Sequence, residues 1–392
     1  MRILINLLSS SHRSTTGGFV YIKNLLPTLF SLDRANQYFI LASRDNGDFF
    51  KKNYPNWPNV HYVISDIRRD LWANPWRAGL KLVAKIKKDR RAREDIIRKE
   101  VQRIINKKNI DLLFCPASVI YPRGLKNTKI VTTVLDLQHE YVPENFSSDY
   151  LKRRKADSEY FSVRSDHLIA ISDFTKQTLV QKYGIDPSKV TVIYFAPQKL
   201  EEVEAGAALP RDYLFYPAAL WPHKNHRILI EALNDLKEKF PSLHLVFAGL
   251  TKNKKVFSEL KILIESFGLS GKVIFMDYIF GSKLAWVFKN AKAMVFSSSF
   301  EGFGIPLVEA FHYGVPVVAA DNTSISEVVG KAGILFETGH LGELTKSIER
   351  VLSDETLRKN LIARGRERAK DFSWDISARQ TLEVFNKVKT DW

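Results

Sequence analysis

The sequence predicts an α/β protein of two Rossmann-like, doubly wound domains facing a central cleft, on three observations. The chain has 392 residues, which at roughly 100 to 200 residues per domain points to two domains. Short apolar runs alternate with helix-like segments along most of its length, the pattern of parallel strands joined by crossover helices. That rhythm breaks at residues 196–210 (APQKLEEVEAGAALP), where prolines near both ends, charges and small residues show no period of 2 or 3.6. Such a stretch reads as an interdomain linker.

In chain order, the first domain (residues 1–196) opens on the apolar run RILINLL, a buried strand. It is too short, and lacks the basic lead and small-residue cleavage site, for a signal peptide. A helix from Tyr21 to Leu32 follows, then QYFILAS, HYVIS, a helix from Arg93 to Lys107, and the runs DLLFCP, KIVTTVLD, HLIAIS and KVTVIYF. The second domain (residues 197–372) resumes with DYLFYPA, a helix from His226 to Lys239, HLVFAGL, a helix from Lys255 to Phe267, and KVIFMDYI. A helix from Lys283 to Asn290, AKAMVFSS, PLVEAFHYG, PVVAAD, GILFE and helices Glu343 to Ser353 and Glu355 to Lys370 complete it. Residues 373–392 hold a last helix, Trp374 to Val388. Two such halves leave a cleft at the carboxyl ends of their strands, where ligands of open α/β sheets bind. The fold by itself names no reaction.

Composition narrows the classes. Hydrophobic residues make up 45% and charged residues 26%, ordinary for a globular protein with real cores. Cys115 is the single cysteine, which rules out an internal disulfide and a thiolate zinc site and fits a reducing cytosol. No run approaches the roughly 18 to 20 apolar residues of a spanning helix. With 59 basic against 43 acidic residues the net charge is +16, which favours anionic partners. Residues 68–108 concentrate the excess, with 15 Lys or Arg against 5 Asp or Glu.

Residues 297–314, SSSFEGFGIPLVEAFHYG, are the most informative. They follow the strand AKAMVF and open a helix near Pro306, a residue suited to a first helical turn. Gly302 and Gly304 keep the preceding backbone bare, so free N–H groups and the helix dipole can face an anion. Glu301 and Glu309, eight residues apart, can accept hydrogen bonds from two parts of one polyol. The spacing alone says little; the setting E-G-F-G-x-P-x-x-E-A says much.

That setting closely resembles the E-x7-E signature of retaining glycosyltransferases with the GT-B fold, in particular glycosyltransferase family 4. The later GVPVVAADNTSISEVVGKAGILFE looks like the family's continuation. The resemblance implies that Glu309 binds the ribose hydroxyls of a nucleotide-sugar donor and that Glu301 contacts the sugar. It also implies that the backbone at Phe303 and Gly304 lies close to the sugar and phosphates, and that the last helix crosses back onto the first domain.

Further motifs fit this frame. YPAALWPHKNHRILIEAL places Lys224 where a strand ends and a helix begins, and a cation there can neutralise a diphosphate leaving group. HKNH resembles the family's phosphate-binding element, although Ala219 stands where many relatives carry arginine. Either Lys224 acts with another cation or the loop is built differently. Thr15-Thr16-Gly17-Gly18-Phe19 lies between the first strand and the helix near Tyr21, and glycines there allow close approach to a phosphate or acceptor. The chain lacks G-x-G-x-x-G, which argues against a dinucleotide-dependent dehydrogenase. The strand KIVTTVL leads into Asp136 and His139; relatives often show H-D-L, and here Leu135 replaces that histidine, so His139 is the candidate to take its place. ISDFTKQTL resembles the family's I-S-x-F-T element, making Ser172 a cleft residue and Phe174 and Leu179 core. Residues 71–88 (LWANPWRAGLKLVAKIKK) set Trp72, Trp76, Leu80 and Val83 at helical spacing among cations, either an interfacial membrane helix or a core-facing helix with a basic face.

Asp-x-Asp is absent from the sequence, and no His/Cys/Asp cluster has metal-ligand spacing. Neither metal nor cofactor is therefore expected; cations and helix N-termini would serve the diphosphate. The sequence reads as a cytoplasmic hexosyltransferase, peripheral on the inner face of the membrane through residues 71–108. It would move a sugar from a nucleotide diphosphate, with a lean to GDP-mannose, to a glycan or lipid-linked acceptor in surface-polysaccharide synthesis. The catalytic residues would be Lys224, Glu301, Asp136 and His139; donor ligands would be Gly18, Lys224, Glu301, Phe303, Gly304 and Glu309; the acceptor side would be Gly17, Asp136, His139 and Ser172. A sugar-nucleotide 2-epimerase of the same fold and a nucleic-acid-binding protein are the alternatives, the second resting on charge alone with no nucleic-acid motif.

Overall fold

The structure, a computed structural model, describes residues 1–10, 17–65, 90–198, 208–251 and 253–390. Thr15, Thr16, the amphipathic stretch 71–88 and linker residues 199–207 lie outside the described residues.

The apolar runs of the first half are strands β1 (Arg2–Asn6), β2 (Gln37–Ser43), β3 (Val60–Ser65), β4 (Leu112–Cys115), β5 (Lys129–Val134), β6 (His167–Ala170) and β7 (Val190–Val192). They form one parallel sheet in the order β3-β2-β1-β4-β5-β6-β7. The second half supplies β8 (Tyr213–Tyr216), β9 (His244–Ala248), β10 (Val273–Met276), β11 (Ala293–Phe296), β12 (Val317–Asp321) and β13 (Ile334–Glu337). These pair in parallel as β10-β9-β8-β11-β12-β13. The central strands LLFC, YLFY and AMVF are buried at every residue, because helices cover both faces, and so they read as continuous apolar runs. Each sheet reverses its winding once, between β1 and β4 and between β8 and β11. Loops leaving two such strands diverge and open a crevice at their carboxyl ends.

The helices of the first half are α1 (Gly17–Leu32), α2 (Arg44–Asn53), α3 (Arg90–Lys108), α4 (Ser148–Arg164) and α5 (Asp173–Tyr183). The second half carries α6 (His226–Leu236), α7 (Lys254–Ser266), α8 (Gly281–Asn290), α9 (Ile305–Tyr313), α10 (Thr323–Val329), α11 (Leu341–Ser353), α12 (Glu355–Ala369) and α13 (Trp374–Thr390). α1 begins four residues earlier than its apolar spacing implies, because glycine has no side chain from which a spacing can be read. Gly17 and Gly18 therefore form the helix's first turn, not the loop before it. Inside α1, Pro27 cannot donate to the Lys23 carbonyl; the Tyr54 hydroxyl does so instead, at 2.9 Å.

α13 returns to the first domain and packs along α1. Phe385 meets Phe114 with ring centroids 5.1 Å apart, and Ser377 Oγ donates to the Tyr194 carbonyl at 2.7 Å. Beside it the Trp374 indole N–H donates to the Pro197 carbonyl at 2.7 Å. One apolar core fills the second domain and continues through Phe195, Phe303, Phe372 and Trp374 onto one face of the first sheet. A separate core, including Val101, Ile105 and Phe161, fills the other face.

Candidate functional site

The switch point of the second sheet is the centre of the site. β8 and β11 are direct neighbours, with Phe215 opposite Met294, so the loops that leave them emerge side by side. The first carries Lys224 at the end of a short 3-10 turn, Pro222–Lys224; the second carries Glu301. Lys224 Nζ donates to Glu301 Oε1 at 2.5 Å, with the side chains only 18% and 14% exposed. The serine-rich strand end clamps the lysine loop from below: Ser297 Oγ donates to the Lys224 and Asn225 carbonyls at 3.1 and 3.0 Å, and Ser299 N to the His223 carbonyl at 2.8 Å. Glu301 is fixed from the other side, its N–H donating to Thr323 Oγ1 at 3.2 Å while its carbonyl accepts from Ser324 Oγ at 2.9 Å. Lys224 is thus ion-paired with a carboxylate, Glu301, of the neighbouring loop. Next to it, burial and then the Lys224 charge push the His223 imidazole down to about 4, so it is neutral near pH 7.

α9 continues the second loop. Gly304 takes a left-handed φ of 95° at its N-cap, a conformation that favours glycine, and Pro306 lies in the first turn. Glu309 is 5% exposed. Burial pushes its carboxyl up to about 7, against the lowering effect of the Gln198 N–H and of Lys23. Lys23 Nζ in turn donates to Gln198 Oε1 at 3.2 Å, so α1, the linker and α9 meet at this carboxylate. The Phe303 side chain, 3% exposed, packs against Tyr194, Phe195 and Phe372. It belongs to the core between the domains, and only its backbone is left to serve the loop.

Gly302 has a role that the sequence does not reveal. A Cβ there would lie 2.2 Å from the Leu135 carbonyl oxygen and 3.0 Å from Asp136 Cβ, both in the first domain. Its bareness lets the two domains touch. A Cβ on Gly17 would be 3.6 Å from Ile305 Cδ1, so the N-termini of α1 and α9 approach each other from opposite domains, bringing their positive dipole ends together.

The first domain corrects two expectations. His139 does not front the cleft: it is 1% exposed, with Arg154 Nε donating to its Nδ1 at 3.3 Å and the hydroxyls of Tyr183 and Ser158 3.3 and 3.4 Å from Nε2. The 3-10 turn Gln138–Glu140 folds its ring inward, behind Asp136. Ser172 is also internal: its fully buried hydroxyl accepts from Thr175 N at 3.1 Å, capping α5, and donates to Thr175 Oγ1 at 2.9 Å. Leu179 is core, as expected, but Phe174 is half-buried at the domain seam, forming a ring cluster with Tyr141 and Phe300 at 5.2 to 5.8 Å. Asp136 stays at the cleft, its side chain 32% exposed, and pairs with Arg154 through Oδ1.

Arg154 and Glu327 were missed in the sequence. Arg154 lies in the basic run LKRRK, where nothing distinguishes it from its neighbours. Glu327, on α10, accepts from Asp173 N at 2.8 Å and Phe174 N at 2.9 Å, capping α5 across the seam. Burial raises its pKa, and those N–H groups oppose the rise. One metal-like cluster occurs among the described residues although sequence spacing gave none. Exposed Glu337, His340 and Glu343 bring ligand atoms within 4.8 Å of one another, yet His340 Nδ1 and Glu343 Oε2 already accept backbone N–H groups at the start of α11. Among the described residues no helix is long and apolar enough to cross a membrane.

Residues 17–195 match the family Glycosyltransferase Family 4 and residues 198–368 match Glycosyl transferases group 1. The O-antigen chain mannosyltransferase B of Escherichia coli is 26% identical over 272 residues, covering 66% of this chain and 70% of that enzyme. Other, longer mannosyltransferases are matched over only 29% of their length. Among solved structures, sucrose-phosphate synthase from Thermosynechococcus elongatus superposes with a TM-score of 0.74 at 16% identity, covering 100% of both chains. HepE of Anabaena, solved in complex with UDP, superposes with a TM-score of 0.69 at 17% identity, covering 98% of this chain and 99% of that one.

Proposed function

Because this chain belongs to glycosyltransferase family 4 and has the GT-B fold of a hexosyltransferase, we propose that it transfers a sugar, with retained configuration, from a nucleotide diphosphate to a glycan or lipid-linked acceptor in surface-polysaccharide synthesis. The observation that carries this reading is the Lys224–Glu301 pair at the β8/β11 switch point, where the Glu301 loop leads to α9, whose N-terminus the N-terminus of α1 approaches from the other domain. A cation and two helix N-termini suit a diphosphate, and a carboxylate suits sugar hydroxyls. The resemblance to a mannosyltransferase favours GDP-mannose as donor; the UDP held by HepE makes UDP-sugars the first competitor.

In this reading Glu309 accepts hydrogen bonds from the ribose hydroxyls and Glu301 from the sugar. Lys224 and the α9 N-terminus stabilise the charge that develops as the bond from the sugar C1 to the diphosphate oxygen breaks. The acceptor hydroxyl forms its bond to C1 on the same face and gives its proton to the departing diphosphate, so no metal and no covalent enzyme intermediate are needed. Contact between the domains at Gly302 excludes the water that would otherwise hydrolyse the donor. Exposed Arg93, Lys99, Arg103, Lys107 and Lys108 on α3, together with residues 71–88, would meet anionic headgroups on the cytoplasmic face of the membrane near a lipid-linked acceptor.

A thermal-shift panel of GDP, UDP, dTDP and ADP with their sugars tests the reading on the parent and on Glu309→Ala. A rise of several degrees with one nucleotide, lost in the variant, is expected, since a ligand bound only to the folded state stabilises it. No shift with any nucleotide at millimolar concentration would sink the donor-site assignment.

A further inference from the structure

We propose that Arg154 is a positioning residue for the transfer reaction, held from behind by His139 so that it presents the Asp136 carboxylate to the acceptor. The inference rests on the reading that Asp136 lies on the acceptor side, and it assigns work to two residues whose sequence context gave no reason to pair them.

Three observations carry it. First, Asp136 is at the seam: it follows β5, its Cβ is 3.0 Å from where a Cβ on Gly302 would stand, and its charge is felt by His223 of the opposite domain. Second, among the described residues its hydrogen bonds come from Gln138 N at 3.0 Å and from Arg154 Nη2, and both use Oδ1. Oδ2 keeps its lone pairs for a ligand hydroxyl, since an ionised carboxylate has about four acceptor positions. Third, the guanidinium is held from several sides: its Nη2 also reaches the Asp136 carbonyl at 3.4 Å, its Cζ lies over the Phe146 ring 5.3 Å from the centroid, and its Nε points at His139 Nδ1 at 3.3 Å.

The last contact fixes the chemistry of His139. A guanidinium only donates, so Nδ1 must be the unprotonated nitrogen and Nε2 must carry the hydrogen, directed at the Tyr183 and Ser158 hydroxyls. The groups facing the ring are Arg154, Lys155 and Ser158 from α4, Tyr183 from α5, Glu140 from its own turn and Asp136 from the strand end. Burial first, and then the Arg154 charge, lower its pKa from the ordinary value. A neutral imidazole here is an acceptor that aims Arg154, where a general base would need an open path to the acceptor hydroxyl.

The test uses the full chain with two readouts. Nitrogen-15 NMR of labelled histidine, with His139 assigned by loss of its signals in His139→Gln, should show an unprotonated Nδ1 at pH 7. A protonated Nδ1 overturns the inference. Kinetics use whichever of GDP-mannose, UDP-glucose, dTDP-rhamnose or ADP-glucose the parent turns over, with methyl α-mannoside as probe acceptor. Arg154→Met and Asp136→Asn should each raise the acceptor KM or lower kcat at least tenfold while nucleotide Kd stays within twofold. The double variant should be no worse than either single one, and Arg154→Lys should recover part of the loss. Arg154→Lys and the NMR arm decide the matter where Arg154→Met folds poorly. Impaired Asp136→Asn beside unimpaired Arg154 variants would overturn the positioning role alone. Unimpaired Asp136→Asn would overturn the acceptor-side reading, and a parent that turns over none of the four sugars would overturn the proposed function; either removes the inference as well.

Discussion

The two banks of the cleft are built differently. On the second domain, Lys224, Glu301, Gly304 and Glu309 all come from the two loops at one switch point and the helix that continues one of them. On the first domain, two of the candidates picked by the same kind of motif turn inward, His139 behind Asp136 and Ser172 as a helix cap, while Asp136 and the exposed Gly17 at the start of α1 stay at the seam. The first bank is written in local sequence, where a strand, a turn and a helix start fall within a few residues. The second is assembled by tertiary contact, with Arg154 on α4 holding an aspartate 18 residues upstream. A site that binds one common ligand class can be reused with its loop intact, while an acceptor surface is defined by whatever packs around it.

Four substitutions break or sharpen that contrast. The largest effect is expected from Lys224→Ala, which strips the donor bank of its cation and leaves Glu301 unpaired: transfer should fall by roughly a hundredfold to a thousandfold with the fold retained. Circular dichroism beside a nucleotide-release assay checks both halves of that statement. Gly302→Ala acts on the contact between the banks. Its Cβ cannot share space with the Leu135 carbonyl, so turnover should drop by roughly tenfold to a hundredfold, as expected when reacting groups are held slightly apart. Nucleotide affinity, measured by calorimetry, should hardly move; an equal loss in both would show that closure is not what the glycine serves.

Glu309 gives a pH signature on the donor bank alone. With its carboxyl near 7 in the free protein, ribose hydroxyls gain an ionised acceptor only as pH rises, so nucleotide Kd should fall by up to about tenfold from pH 6 to 8. Glu309→Gln should be flat. Stability runs the other way. A folded-state pKa above the unfolded value gives a contribution that is fully present below the unfolded pKa and is lost as pH rises through about 7. The ligand-free parent should therefore lose melting temperature between pH 5 and 8 relative to Glu309→Gln. Smallest is Ser172→Ala: loss of a helix cap costs about 1 kcal/mol, some 2 to 4 °C in melting temperature, with acceptor KM unchanged. A raised KM would return Ser172 to the cleft.

The thirteen strands among the described residues were legible as apolar runs, most plainly the inner ones, where burial on both faces leaves no alternation to misread. Charged helices were harder. α4, SDYLKRRKADSEYFSVR, buries little beyond Ser158 and Phe161, too few residues to print a helical period. Among site residues, those whose role comes from their own loop were readable, as with Gly304 and its left-handed cap. Those whose role depends on a distant partner were not. Gly302 looks like any loop glycine until the Leu135 carbonyl arrives from the other domain, and Glu327 looks like a surface acid on a short helix until it caps α5.

The return of α13 to the first domain also bears on the order in which the molecule can be completed. Ala378, Thr381, Val384, Phe385 and Val388 are buried against elements made from the first part of the chain. Domains emerging from a ribosome generally fold as units, the earliest first. Here the domain translated first would wait, with the apolar face of α1 uncovered, until the second domain and then the last helix had been synthesised. The half that starts first is the half that finishes last, and its unfinished state is the one a chaperone would meet.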